Sequence, residues 1–307
     1  MTTRKSWYSS GKLLITGEYL VLAGAKALAF PLKTGQHLTI SENREKKLHW
    51  RAIEPDGLWF QCIFNLPDLE IIYSPDRELC EKLKNILSAA RALNPDFLEN
   101  GENGFEVDTI LEFNPEYGLG SSSTLLNNLA GWAGIDPFKL QKLTFEGSGY
   151  DIACASAKKP LIYQLVNQRP VVTEVNFSPP FKDNLYFVYS GRKQRTSESL
   201  LEFKKASFDK TDITIISEIT EKVLETKSFD EFEYLLIEHE NLMSKILNLP
   251  KAKDRLFPDH RGTVKSLGAW GGDFMLMTFR DEPGEVKRYL NRKGFDVFYR
   301  YEEIVLI

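Results

Sequence analysis

Cysteine and histidine are scarce in this 307-residue chain, and neither is spaced for a metal. The three cysteines, Cys62, Cys80 and Cys154, are far apart and odd in number, with no C-x-x-C pair. That indicates neither a zinc site nor a disulfide framework, and reduced, partly buried thiols are the expectation. The four histidines, His37, His49, His239 and His260, form no H-E-x-x-H or other ligand spacing. No run approaches the roughly 18 consecutive apolar residues of a membrane span. Near the N-terminus Arg4 and Lys5 precede apolar residues, and Ala27-Leu28-Ala29 could mimic a cleavage site. Glu18 and Lys26 interrupt that stretch, where a secretory segment needs unbroken apolar character. A strongly basic face is missing too: 39 Lys+Arg stand against 43 Asp+Glu, a formal charge of −4. This argues against general nucleic-acid binding, while a few local cations still suffice for an anionic small molecule. The expectation is a cytoplasmic protein with neither nucleic acid nor membrane as partner.

What is present is the balance of a soluble globular protein, 42% hydrophobic and 27% charged. The length suits two domains or one large one. The first half reads mainly as strands, in short apolar runs at Lys12–Thr16, Tyr19–Leu22, Ala27–Leu32, Leu38–Ser41, Leu48–Ile53, Trp59–Phe64, Leu69–Tyr73 and Phe105–Phe113. Within it, Asp76–Leu93 has helical spacing, and a second apolar helix is predicted over about Ser122–Ala133. The second half has a different rhythm. A strand at Asn184–Tyr189 precedes an amphipathic helix at Ile213–Leu224, and Ser228-Phe-Asp-Glu231 is a capping box opening a helix through Leu247. Two strands flank a glycine cluster at 268–272; Pro283 opens a helix that Gly294 can close; Val297–Tyr299 and Ile304–Ile307 finish as strands. The order β-α-β-β-α-β, with an extra helix, predicts a split βαβ domain. The Pro179-Pro180 pair places the boundary, giving domains 1–178 and 179–307.

Three loops carry chemistry. In Asn114-Pro-Glu-Tyr-Gly-Leu-Gly-Ser-Ser-Ser-Thr124, Gly118 and Gly120 let backbone approach a ligand with no Cβ in the way. Ser121–Ser123 then open a helix, where unpaired N–H groups and the positive dipole end favour anions. No G-x-x-x-x-G-K-[ST] is present, so this is not a Walker-type loop. By itself it is equally a glycine turn with a serine cap. In Gly147-Ser-Gly-Tyr-Asp151-Ile-Ala-Cys-Ala155 a single acid enters an apolar segment, which is costly without a reason. Asp151 either caps a helix or orients and deprotonates a substrate hydroxyl. The third loop, Lys265-Ser-Leu-Gly268-Ala-Trp-Gly271-Gly272-Asp273, reads in isolation as a tight turn between strands.

Together, and with Gly11-Lys12-Leu-Leu-Ile-Thr-Gly17-Glu18-Tyr19, these segments resemble the ordered motifs of the GHMP small-molecule kinases over residues 11–273. Pro115 and Gly118-Leu119-Gly120-Ser121-Ser122 look like the family's phosphate loop, and Gly268-Ala-Trp-Gly-Gly272 is similar to its third motif, with Trp270 where a small residue is usual. The resemblance implies an α+β, two-domain fold: an N-terminal mixed α/β domain holding ATP and a C-terminal ferredoxin-like split βαβ domain. Gly17-Glu-Tyr19, Gly271-Gly-Asp273 and Gly147-Ser-Gly-Tyr-Asp151 favour the phosphomevalonate kinase and mevalonate kinase branch. The Gly-Tyr-Asp-Ile-Ala wording is also similar to a bacterial subgroup of undefined substrate.

The resemblance implies that Pro115, Gly118, Leu119, Gly120, Ser121, Ser122 and Ser123 cradle the ATP phosphates, with Ser122 a ligand of Mg²⁺. Asp151 is the implied base or orienter, and Lys12 would pair with it and offset charge on the transferring group. On the acceptor side stand Glu18, Tyr19, Ser148, Gly149, Gly268, Gly271 and Gly272, and Glu18 is equally readable as a turn residue. Lys193, Arg195 and Ser197 would hold a substrate phosphate, or belong to a solvated basic loop. The implied activity is ATP-dependent phosphoryl transfer by a monomer or homodimer to a small molecule. Phosphomevalonate is the first expectation; mevalonate or a sugar, or a catalytically weak nucleotide-binding relative, are alternatives. One departure supports the last: only 27 positions separate Thr124 from Asp151, where the family has a longer insert supplying a Glu to Mg²⁺. Glu146 is near but not at the family's spacing.

Overall fold

The computed structural model of the chain describes residues 4–99, 103–191, 203, 206–270 and 273–307. The chain divides into two compact units, one of Met1–Gly11, Thr34–Pro115 and Gly120–Ser156, the other of Lys12–Lys33, Glu116–Leu119 and Ala157–Ile307. The compact units interleave along the chain, the second taking in residues 12–33 and 157–178 as well. The reason is long-range strand pairing: Ala27, Leu28 and Ala29 pair with Tyr163, Ile162 and Leu161. Among the described residues, no helix is long and apolar enough to cross a membrane.

The first unit is a sheet covered by helices. Strands β2 (Ala27–Asn43), β3 (Lys47–Glu54), β4 (Gly57–Asn65), β5 (Glu70–Tyr73) and β6 (Gly104–Leu111) lie in the order β5-β4-β3-β6-β2, and β1 (Lys5–Leu14) pairs with β2. All these pairings with a printed register are antiparallel except β3 with β6. Alternation decides the faces: Leu48, Trp50 and Ala52 on β3 and Phe60, Cys62 and Phe64 on β4 are buried, and Arg51 between them is exposed. Over the buried face lies α1 (Arg77–Leu93), capped by Asp76, whose side chain accepts from Leu79 N–H at 3.0 Å. It buries Cys80, Leu83, Ile86, Leu87 and Ala90; the spacing predicts the last four with Leu79, which is only half-buried. The same core receives α2 (Ser121–Ala133), α3 (Pro137–Thr144) and α4 (Tyr150–Ser156).

The two expected strands Ala27–Leu32 and Leu38–Ser41 are one, β2. Its interior Gly35 marks a close backbone approach, since a Cβ there would meet the Ser9 carbonyl oxygen at 2.0 Å.

The second unit contains the hairpin β7 (Leu161–Val166) and β8 (Arg169–Glu174) and a separate antiparallel sheet of β9 (Leu185–Tyr189), β10 (Val264–Ser266), β11 (Phe274–Thr278) and β12 (Phe298–Arg300). The spatial order β10-β11-β9-β12 is the split βαβ arrangement expected from the sequence. Helices α5 (Lys210–Glu225), α6 (Phe229–Leu247) and α7 (Ala252–Leu256) fall between β9 and β10, and α8 (Pro283–Arg292) between β11 and β12. Ser228 caps α6 by accepting from Glu231 N–H at 3.3 Å, but the Glu231 carboxylate takes the Thr226 hydroxyl at 2.5 Å instead of closing the capping box. Two expected strands are absent. Tyr19–Leu22 is a tight turn into a 3-10 helix at Leu20–Ala23, and Ile304–Ile307 is the end of a short helix, α9 (Tyr301–Ile304), followed by an isolated bridge from Val305 to Leu32. In both, buried apolar residues reach the core from turns, so hydrophobicity alone misassigns the backbone.

Candidate active site

In the first unit the predicted phosphate loop opens α2. Gly120 stands at its N-cap with φ 99°, and the first N–H groups of the helix take no side-chain cap. The three serines are not equivalent. Ser123 is buried and donates its hydroxyl to the Gly120 carbonyl at 2.9 Å, holding the loop's shape, while Ser121 is half-buried and Ser122 exposed. Deeper in α2 a buried polar network fixes its rotation: Thr124 donates to the Gln36 side chain at 2.9 Å, Asn128 to the Gln36 carbonyl at 2.8 Å, and Ser9 to the Asn128 side chain at 2.8 Å. Gly131 lets α2 lie on Trp7, whose ring a Cβ would meet at 2.6 Å.

Packed on α2 is α4, and Asp151 sits in its first turn, half-buried, with one carboxylate oxygen accepting from Ile152 N–H at 3.0 Å. Both readings of Asp151 therefore concern one place: the start of a short helix that packs on α2. Ser148 and Gly149 form the turn into α4, with Gly149 at φ 93° and its carbonyl accepting from Ala153 N–H at 3.0 Å.

In the second unit Lys12 lies on β1, half-buried, and its N–H donates to the Leu119 carbonyl at 2.8 Å. Gly118 has φ 70°, and a Cβ there would meet the Asp273 carboxyl at 2.3 Å. Tyr189 donates to the Glu116 carbonyl at 3.1 Å, and its ring packs on Tyr117 with centroids 4.6 Å apart. The expected residues Lys193, Arg195, Ser197, Gly271 and Gly272 lie outside the described residues.

The second unit also holds a buried polar cluster. Glu18 is 3% exposed, and Lys265 and His239 are fully buried. Lys265 Nζ donates to Glu18 Oε1 at 2.5 Å and to the Ser266 carbonyl at 2.9 Å. His239 Nε2 accepts from Gly17 N–H at 3.0 Å and lies 3.2 Å from Glu18 Oε2. Burial and the Lys265 charge hold its pKa well below the ordinary value. Burial pushes the Glu18 carboxyl up, while Lys265 and the Gly268 backbone pull it back towards ionisation. Glu240 accepts from Ser266 N–H at 3.1 Å, and burial raises its carboxyl pKa to about 8. The cluster thus sets the Glu18–Lys265 pair beside a histidine whose pKa is lowered and a Glu240 carboxyl whose pKa is raised to about 8. Sequence reasoning passed over His239 and Glu240. Their signal was positional: both fall on the apolar stripe of α6, with Phe232, Leu235, Leu236 and Met243.

Glu240 gives a pH signature. Its carboxyl titrates near the ordinary 4.5 in the unfolded chain and near 8 in the fold, so its stabilising contribution is full below about 4.5 and is lost as pH rises through about 8. Glu240→Gln keeps the acceptor for Ser266 N–H and removes that loss. In thermal melts the gain in Tm over wild type should be smallest near pH 5, grow with pH, and level off above about 8. A gap constant across this range would show that Glu240 does not titrate there.

No protein-family model matches the sequence, and no curated protein does. Solved structures do match. Mevalonate kinase of Methanococcus jannaschii superposes with a TM-score of 0.72 at 18% identity, over 100% of this chain and 99% of that one. Streptococcus pneumoniae phosphomevalonate kinase, in complex with phosphomevalonate and AMPPNP, gives 0.69 at 17% identity, over 96% and 99%. A D-glycero-D-manno-heptose 1-phosphate kinase from Bacteroides thetaiotaomicron gives 0.68 at 16%, over 99% and 96%. With the large mixed sheet, the split βαβ sheet and full-length superposition on several of its members, the chain has the fold of the GHMP kinases.

Proposed function

We propose that this chain transfers the γ-phosphoryl group of ATP to a small-molecule acceptor. One observation carries the reading: the uncapped start of α2, behind the left-handed Gly120, with Asp151 in the first turn of the helix packed against it. Phosphoryl transfer asks a protein chiefly for positioning and charge neutralisation. The N–H groups of Ser121, Ser122 and Ser123 supply the donors and the positive dipole end for phosphate oxygens. The acceptor oxygen attacks the γ-phosphorus, the bond to the β–γ bridging oxygen breaks, and ADP leaves. Asp151 orients the acceptor's hydroxyl or phosphate and takes its proton where it has one, and Lys12 offsets charge on the transferring group.

The donor set also suits Mg²⁺. The exposed Ser122 hydroxyl is one protein ligand, and Mg²⁺ characteristically takes only one or two, completing its shell with phosphate oxygens and waters. Bound there, the ion would neutralise β- and γ-phosphate charge.

Phosphomevalonate is the acceptor we favour, supported by the three sequence segments of that branch and by the likeness to a phosphomevalonate kinase holding phosphomevalonate and AMPPNP. On this reading Lys193, Arg195 and Ser197 bind the substrate phosphate. Lys193→Ala and Arg195→Ala should each raise the KM for phosphomevalonate about tenfold, the scale of a lost charged hydrogen bond; unchanged values would remove them from the site. ADP release from purified protein with ATP, Mg²⁺ and a panel of phosphomevalonate, mevalonate and sugars decides. Turnover with one member names the acceptor, and ATP binding without any turnover defeats the kinase reading.

A further inference from the structure

The turn Gly17-Glu18-Tyr19 has a backbone that needs explaining. Tyr19 has φ 61° and ψ −50°, and Leu20 N–H closes onto the Glu18 carbonyl at 2.7 Å. This is a γ-turn of the rare, strained hand, here centred on an aromatic residue. Such a conformation persists only where the surroundings over-determine it, and here they do. Gly17 is held through its N–H by His239, Glu18 through its carboxylate by Lys265, and Tyr19 through its hydroxyl, which accepts from Trp270 N–H at 2.7 Å.

The same contacts run the other way, onto the third glycine loop. Within residues 266–270 two backbone N–H groups are engaged by buried side chains of other elements: Ser266 by Glu240 at 3.1 Å and Trp270 by the Tyr19 hydroxyl at 2.7 Å. Lys265 adds a tether, linking Glu18 to the Ser266 carbonyl. Trp270 is anchored beyond the loop, its indole N–H donating to the Pro250 carbonyl at 3.2 Å. The Glu18 carboxylate, 3% exposed, is held through Oε1 by Lys265, and its enclosure keeps it from solvent.

We infer that Glu18, paired with Lys265 and assisted by Tyr19, is a positioning residue that sets the backbone of the 266–270 loop, and that it does so without touching the acceptor. The inference deepens the kinase reading, on which its kinetic consequence rests; its structural consequence is independent of that reading. It also gives the buried ion pair a use. A hydrophobic pair of the same volume would be as stable or more so, but would offer the Ser266 carbonyl no donor tied to Glu18.

The test separates stability from positioning. Glu18→Gln leaves Lys265 buried without its counter-charge and should lower Tm by about 10 °C. Glu18→Gln with Lys265→Met removes both charges and should return Tm to within a few degrees of wild type. If the pair only stabilises, the double variant should be normal in every respect. If it positions the loop, amide hydrogen exchange over 264–270 should remain about tenfold or more faster than wild type in the double variant, with exchange over α1 unchanged as control. Tyr19→Phe, which deletes one hydroxyl, should accelerate exchange in the same segment and provides the measurement should the charged variants fail to fold. With ATP and phosphomevalonate as probes, both the double variant and Tyr19→Phe should raise the KM for phosphomevalonate several-fold more than that for ATP. Wild-type exchange over 264–270 in the double variant and in Tyr19→Phe overturns the inference. Fast exchange in an enzyme that turns over no acceptor upholds it and rejects the kinase reading instead.

Discussion

Asp151→Asn should lower kcat by ~10²-fold or more while leaving the fold and ATP binding intact, the loss expected when a positioned general base is neutralised. The substitution suits the site because it is nearly isosteric, and the amide oxygen can still accept from Ile152 N–H, the contact made at 3.0 Å by the carboxylate. The start of α4 therefore keeps its local hydrogen bond, and α2, packed against it, keeps its orientation through Gln36 and Asn128. Only proton affinity and charge are lost. Steady-state kinetics should show kcat and kcat/KM falling together, the pattern of an interaction made in the transition state. The KM for ATP should hold, because the phosphates are assigned to the N–H groups of α2. A Tm within a degree or two of wild type would exclude a folding explanation. If activity stays within about threefold of wild type, well short of what losing a base costs, Asp151 is a helix-start residue and the proton goes elsewhere.

How much of this was legible in the sequence differs from element to element. Local signals read well: Ser228 caps the helix it was expected to open, the helix read from Asp76 by its spacing starts there, and the split βαβ sheet follows the predicted alternation of elements. Signals that were present but weak were passed over. Asp136-Pro137 starts α3, and its side chain accepts from Phe138 N–H at 2.8 Å. The β7–β8 hairpin turns on Asn167 and Gln168, at φ 51° and 62°, so a glutamine occupies a left-handed position where glycine is the usual marker. The interleaving of the compact units had no local signal, because it arises from pairing between Ala27–Ala29 and Leu161–Tyr163. The candidate site divides in the same way. Gly118, Gly120 and Asp151 announce themselves by residue type, since glycine at a helix start and an acid in an apolar segment are both locally anomalous. The Glu18–Lys265 pair does not, because Lys265 in sequence is an ordinary charged residue beside a turn, and only the fold shows that it is fully buried 2.5 Å from a carboxylate 247 positions away. The γ-turn at Tyr19 is the extreme case, a strained backbone on a residue type that disfavours it, maintained entirely by distant partners.

Gly17→Ala should be among the most destabilising single substitutions in the second unit, by about 3–5 kcal/mol, combining backbone strain with overpacking. Gly17 has φ 84°, where an L side chain is strained whatever the space. In addition, the new Cβ would lie 2.7 Å from Ala27 Cβ and 2.8 Å from both Ala27 Cα and the Lys26 carbonyl oxygen. Two of those three atoms are backbone, so relief requires moving β2 at the point where it pairs with β7. Gly294 supplies an internal control. It has φ 83° and nothing within 4 Å of its Cβ position, so Gly294→Ala carries the strain without the clash. That variant should cost about 1–2 kcal/mol, the left-handed penalty alone. Urea denaturation of the two variants, with equal m-values confirming that the unfolded states are comparable, isolates the packing contribution as their difference. The consequence should extend beyond stability. Gly17 N–H is the donor to His239, and its carbonyl accepts from Val21 N–H at 2.9 Å, so displacing this residue shifts the anchors of the strained turn on both sides. Whatever folded Gly17→Ala remains should lose protection over 264–270, whereas Gly294→Ala should not. Equal destabilisation by the two would mean that Ala27 yields freely, and the turn would then lack the rigid seat that its geometry requires.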